Sequence, residues 1–106
     1  MNFTSLQVFL ISFLAMALVS VLYHWPWVLF GVLLFISGVW LYFLRQPIYL
    51  KIFGVVAVGG PIAEAVAIHF GAWWYTTPQL IGFPVWLPPL WGLAAVGIVV
   101  IFEQLR

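Results

Sequence analysis

GGPIAEAVAIHFGAWWYTTPQLIGFPVWLPPLW, residues 59–91, is the stretch on which the fold of this chain depends. It contains Glu64, which is an acidic residue inside a long apolar run, and five of the seven prolines. Proline is favoured in the first turn of a helix, because its missing N–H would be unpaired there. Pro61 follows two glycines, so we expect the helix that carries Glu64 to be broken or kinked near Gly59–Pro61. Glu64 would then lie near the N-terminus of a half-helix, where the helix dipole favours negative charge.

The composition requires lipid as the main solvent of the chain. Of its 106 residues, 67% are hydrophobic and 5% are charged, and the mean hydropathy is +1.25. A soluble domain carries roughly 25% charged residues, because its surface faces water. With no cysteine, disulfides and thiolate metal sites are excluded, and neither a metal nor a cofactor is expected. A net charge of +1 offers no basic surface for nucleic acid.

Four segments are long enough to cross a bilayer core of about 30 Å, which takes about 20 helical residues. They are Phe3–Tyr23, Trp27–Leu44, Ile48–Phe70 and Trp86–Phe102. The segment between the third and fourth, residues 71–85, is aromatic and interrupted by prolines, as expected for a rim loop at the membrane surface. We therefore predict an all-α, integral membrane bundle of four transmembrane helices, formed as one domain over residues 1–106.

Three cations predict the orientation in the membrane. Arg45 and Lys51 flank the second loop, and Arg106 ends the chain. An even number of spans brings all three to one side, which the positive-inside rule assigns to the cytoplasm. We expect a protein of the cell (inner) membrane with both termini cytoplasmic.

Small residues accompany Glu64 on one face of its helix. With 3.6 residues per turn, the face contains Gly60, Ala63, Ala67 and Gly71. Small residues at a spacing of four allow helices to approach closely, so we expect this face to pack inside the bundle or on a partner. A carboxyl inside a membrane is costly and is by default a functional hypothesis. The alternative is a structural carboxyl that is hydrogen-bonded across the bundle.

Aromatic side chains surround the predicted rim. The residues that could contact an apolar ligand are Trp73, Trp74, Tyr75, Trp86, Trp91 and His69. Trp and Tyr are also enriched at membrane surfaces as anchors, which is the alternative interpretation. His69 and His24 both lie near the rim, so a haem with two histidine ligands is geometrically possible, but little in the sequence supports it. A polar cap at the membrane surface is the favoured interpretation of His69.

The same stretch resembles part of the membrane proteins of carotenoid biosynthesis, namely the small lycopene cyclase subunits and the carotenoid hydratase type. The resemblance covers about 30 residues and follows the order Glu64-x6-Gly71-x-Trp73-x-Tyr75-x2-Pro78-x2-Ile81-Gly82-x-Pro84-x3-Pro88-x2-Trp91. It implies that Glu64 is the acidic catalytic position and that the chemistry is acid-type, at a carbon–carbon double bond. The cyclases carry paired glutamates at the start of the following helix, where this chain has LPPLW at residues 87–91 and no acid. Catalysis would therefore need a second acid from a partner chain.

Three functions remain open from the sequence. The first is a binding protein or degenerate enzyme for an isoprenoid, a carotenoid-like molecule or another membrane lipid, with Glu64 and the aromatic residues as its site. The second is a non-catalytic accessory subunit that joins a homo-oligomer or a partner membrane subunit. The third is part of a transporter, because a broken helix with its N-terminus at an ion site is typical of that class.

Overall fold

The computed structural model describes residues 3–75, 78–80 and 82–106. Within this part the chain forms four α-helices: α1 Phe3–Leu22, α2 Pro26–Leu44, α3 Pro47–His69 and α4 Leu87–Leu105. All four are long and apolar enough to span a membrane, so the prediction of an all-α, four-span bundle is confirmed. Thr76 and Thr77 of the predicted rim loop, and Ile81 of the quoted pattern, lie outside the described residues.

Successive helices run antiparallel across the bundle. Only residues 23–25 join α1 to α2, and only Arg45 and Gln46 join α2 to α3, and such short connections bring neighbouring helices side by side. Trp91, near the start of α4, meets Glu64, near the end of α3, so this pair is antiparallel as well. One end of the bundle, the rim face, therefore carries residues 23–25 and the described residues between α3 and α4. The opposite face carries the α2–α3 loop, the start of α1 and the end of α4.

Helix α4, the last in the chain, is the central helix of the bundle. It packs against each of the other three helices, whereas no Cα atoms of α1 and α3 lie within 8 Å of each other in the described residues. Its side chains Val96 and Val100 are fully buried, as are Leu29 and Leu33 of α2. Most large apolar side chains of the other helices remain exposed, as expected where lipid covers the surface.

Helix α3 continues without a break through Gly59–Pro61, so the prediction of a separate half-helix is wrong. Pro61 lies inside the helix and is buried. Its missing N–H costs one helical hydrogen bond, and the packing of α3 on α4 holds the helix together across that gap. Glu64 thus lies more than four turns after Pro47, too far for the N-terminus of its own helix to act on it. A kink at Pro61 stays a prediction.

Two glycines allow α3 and α4 to approach closely. A Cβ atom at Gly60 would overlap the indole ring of Trp91, and a Cβ atom at Gly92 would overlap the ring of Phe53. Each glycine therefore receives an aromatic ring from the facing helix. Gly60, one of the residues predicted to pack helices together, lies at this contact.

The other small residues of the predicted face lie elsewhere. Ala63 is exposed and Ala67 is half-buried, so any packing of Ala63 on a partner helix stays a prediction. Gly71 does not pack on a helix within the chain, because it lies beyond the end of α3 with φ 84°. Its N–H donates to the Ile68 carbonyl and the N–H of Ala72 donates to the Ala67 carbonyl, both at 3.0 Å. This pair of bonds is the Schellman motif, which favours glycine at the left-handed position.

The neighbouring glycines Gly59 and Gly60 give a matched test of the α3–α4 contact. We expect Gly60→Ala to lower the free energy of unfolding by about 1–3 kcal/mol, because Trp91 must move. Gly59→Ala meets nothing within 4 Å, and alanine gains up to about 1 kcal/mol in helix propensity. Thermal unfolding in detergent measures both. Equal shifts for the two variants would contradict the close approach.

Candidate functional site

The Glu64 carboxyl accepts hydrogen bonds from three aromatic side chains. Its Oε1 accepts from the Tyr75 hydroxyl at 2.7 Å and from Trp73 Nε1 at 3.2 Å. Its Oε2 accepts from Trp91 Nε1 at 2.5 Å. Glu64, Tyr75 and Trp91 are half-buried, and Trp73 lies at the exposed edge. These four residues are the Glu64 site.

Three separate segments of the chain bring the site together. Helix α3 carries Glu64, the turn at Gly71 reverses the chain, and the first turns of α4 carry Trp91. Residues 73–75 are neither helical nor part of a turn. Trp73 and Tyr75 both reach the carboxyl, whereas the side chain of Trp74 between them is 80% exposed.

The hydrogen-bonding capacity of Glu64 is nearly, but not completely, used. An ionised carboxylate offers about four acceptor positions, and an indole N–H can only donate. Oε1 accepts two bonds and Oε2 accepts one. Among the described residues, one acceptor position of an ionised carboxylate therefore remains on Oε2, the oxygen bonded to Trp91.

Tyr75 is the side chain whose titration is altered by the site. Burial raises the pKa of the Tyr75 hydroxyl well above its ordinary value, and the hydrogen bond to Glu64 and the charge of that carboxylate raise this pKa further. The Tyr75 ring also meets the Trp86 ring edge to face, with centroids 6.2 Å apart. Tyr75 is thus held as a neutral hydrogen-bond donor.

An open, largely apolar cavity of about 270 Å³ lies beside the carboxyl. Its walls are formed by Glu64, Tyr75, Leu87, Leu90, Trp91 and Ala94. A larger cleft of about 510 Å³, lined by Arg45 and Tyr42 among others, lies at the opposite face and has no acid in its wall. The larger cleft has more room for a ligand, but the carboxyl that could orient a ligand lies at the smaller cavity.

The structure joins half of the predicted aromatic residues to Glu64. Trp73, Tyr75 and Trp91 bond to it directly, and Trp86 touches the site through Tyr75. The Trp86 indole N–H is buried with no partner in the described residues. Trp74 and His69 are exposed and are not hydrogen-bonded to Glu64.

Three apolar wall residues were missed by sequence reasoning. Leu87, Leu90 and Ala94 line the cavity, although they are ordinary residues of an apolar helix. Leu87 and Ala94 lie four residues before and three residues after Trp91, and this spacing places them on the same helix face. That spacing could have found them once Trp91 was chosen.

No cluster of three or more His, Asp or Glu side chains that could hold a metal ion occurs in residues 3–75, 78–80 and 82–106. His24 is exposed and stacks on Tyr23, while His69 meets Phe70 edge to face. Comparison of the chain with protein-family models, with curated proteins and with solved structures finds no match. The function must therefore be inferred from the site itself.

Glu64→Gln tests the hydrogen bonds of the site. The glutamine NH₂ group must face at least one N–H or O–H donor, and an indole cannot accept in return. We expect a loss of about 1–3 kcal/mol in the free energy of unfolding, the cost of unpaired buried groups. Glu103→Gln is the control, because its ion pair with Arg106 is exposed and such pairs contribute about 0–1 kcal/mol. A Glu64→Gln loss no larger than that of the control would contradict the site geometry.

Alkaline titration tests the environment of Tyr75. Its pKa is raised in the fold, so above the ordinary value of 10.0 the unfolded chain releases a proton that the folded chain retains. The stability contributed by Tyr75 is therefore fully present below pH 10 and is lost progressively as the pH rises above it. We expect Tyr75→Phe to leave the tyrosinate absorbance of the folded protein almost unchanged just above pH 10. A clear drop in that absorbance would show that Tyr75 titrates like an exposed tyrosine.

Proposed function

We propose that this chain binds a long apolar ligand in the membrane at the Glu64 site, namely an isoprenoid, a carotenoid-like molecule or another lipid. The observation that carries the proposal is a carboxyl held by three aromatic donors in the wall of an open, largely apolar cavity. Binding sites for small molecules are commonly apolar, with a few polar groups that orient the ligand. Glu64 is the orienting group here, and the aromatic faces of Tyr75 and Trp91 supply apolar contact.

A purely structural role explains only part of this arrangement. Hydrogen bonds to Glu64 tie the rim segment and α4 to α3, which stabilises the fold whether or not a ligand binds. That role needs no cavity beside the carboxyl and no spare acceptor. Both are present at Oε2 and along the wall formed by Leu87, Leu90 and Ala94.

Binding is favoured over catalysis. Acid-type chemistry at a double bond needs a carboxylic acid that gives its proton to the ligand, yet here three donors point at the carboxyl. The chain has one further acid, Glu103, at the other end of the bundle. A cyclase- or hydratase-like activity would therefore require an acid from a partner subunit.

An accessory subunit is the second candidate, and the exposure of α3 favours it. This helix is the least buried of the four. Within its apolar 18-residue stretch, 6% of the residues are buried inside the bundle, against 39% for α4. Ala63 and Val66 lie on its exposed side, where a homo-oligomer or a partner membrane subunit could pack. In either case we infer the cell (inner) membrane with cytoplasmic termini, because Arg45, Lys51 and Arg106 share one face.

Release of the protein from its own membrane in mild detergent, followed by native mass spectrometry, tests the proposal. We expect a retained lipophilic mass, and a roughly tenfold or greater loss of that mass in Glu64→Gln, because a hydrogen bond to a charged group contributes about 1.5–3 kcal/mol. Glu103→Gln is the matched control, and thermal unfolding of each variant shows that it is folded. Trp91→Phe removes one donor without changing the charge and should reduce retention less.

Two results would overturn the proposal. One is equal retention by Glu64→Gln and Glu103→Gln. The other is a stoichiometric second polypeptide with no lipophilic mass, which supports the accessory subunit instead.

A further inference from the structure

A groove runs along α4 between α1 and α3. These two helices pack on α4, and no Cα atoms of the two lie within 8 Å of each other in the described residues, so a strip of α4 remains uncovered between them. Ala94 and Ile98 on this strip are exposed, although α4 is otherwise the most buried helix. We call the channel above this strip the α4 groove.

The Glu64 cavity opens into this groove. It shares Leu90 and Ala94 with a second cavity of about 230 Å³ between α1 and α4. The second cavity shares Ser12 and Ala94 with a third, of about 400 Å³, which continues to Ile101. The three cavities therefore adjoin one another along α4, with Ala94 in the wall of each, and we call this row of cavities the path.

The length of the path limits what can fill it. From Leu87 to Ile101 the helix rises about 21 Å. Each of the three cavities along it is small, between about 230 and 400 Å³. A single extended hydrocarbon chain of about that length would follow the row of cavities.

The polar groups lie unevenly along the path. Glu64 and Tyr75 are at its rim end, Ser12 is near the middle, and the remaining lining residues are apolar. The open acceptor position of Glu64 is on Oε2, so it suits a donor at the end of a ligand. An acidic end group would be repelled there, and a cationic one would add the desolvation cost of a second charge. A neutral hydroxyl meets the requirement.

We propose that the α4 groove binds one extended isoprenoid-type chain whose terminal hydroxyl donates a hydrogen bond to Glu64 Oε2. The chain runs from the rim face along α4 towards Ile101, and its contacts with the groove walls add dispersion energy as it lengthens. This inference rests on the proposed function and specifies its ligand class: a linear molecule with a hydroxyl at one end.

A chain-length series tests the groove in the intact protein in lipid nanodiscs. The probes are linear polyprenols of increasing length and hydrocarbons of equal length without the hydroxyl, in competition for the purified protein. We expect relative affinity to rise several-fold until the chain spans about 21 Å and then to level off. Removal of the hydroxyl should reduce affinity about tenfold, as for one lost hydrogen bond.

Ser12→Trp separates the groove from the Glu64 site. Ser12 lines the second and third cavities but not the first, so the variant should abolish the gain from length while short chains bind as before. Ala17→Trp is the control, because Ala17 is exposed on the same helix and lies outside all three cavities. If the affinity of Ser12→Trp rises with chain length as in the unmodified protein, the proposal that the groove binds the chain is wrong. The proposed ligand site at Glu64 is not contradicted by that result. Failure of the unmodified protein to bind any chain, short or long, overturns the proposed function as well.

Discussion

The hydrogen bonds to the Glu64 carboxyl connect α3, the rim segment and the first turns of α4 at one point. A carboxyl in a membrane must find donors within the protein, because lipid offers none. Trp73, Tyr75 and Trp91 are those donors, and they come from the rim segment and from the first turns of α4. Residues 73–75 and the α3–α4 pair therefore meet at one carboxyl group, and the cavity lies beside it.

The close contact of α3 with α4 depends on glycine at the points where aromatic rings meet the facing helix. Gly60 receives Trp91 and Gly92 receives Phe53. The first of these contacts also sets the position of the Trp91 indole, whose N–H bonds to Glu64. Helix packing and site geometry are thus coupled through a single side chain.

How much of the site could be predicted from the sequence is clearest at residues 73–75. The sequence marks three adjacent aromatic residues beside a buried acid, but it does not say which of them turn towards it. In the structure Trp73 and Tyr75 bond to the carboxyl, and Trp74 between them is exposed. His69 was equally suitable by composition, and it lies exposed because its direction on α3 differs from that of Glu64. The residue types indicated which side chains could bond to Glu64, and the course of the backbone decided which of them reach it.

The sequence by itself determined the number of spans and their ends within a few residues, because apolar length and the positions of proline and glycine are local properties. It also singled out Glu64, since a charge in an apolar run is visible without a fold. Only the tertiary structure decided that α3 passes unbroken through Pro61, because packing on α4 compensates for the lost hydrogen bond. It alone decided that the last helix is central and that a groove remains between α1 and α3. Which helices touch depends on contacts between distant parts of the chain, and a four-span hydropathy pattern is compatible with several such arrangements.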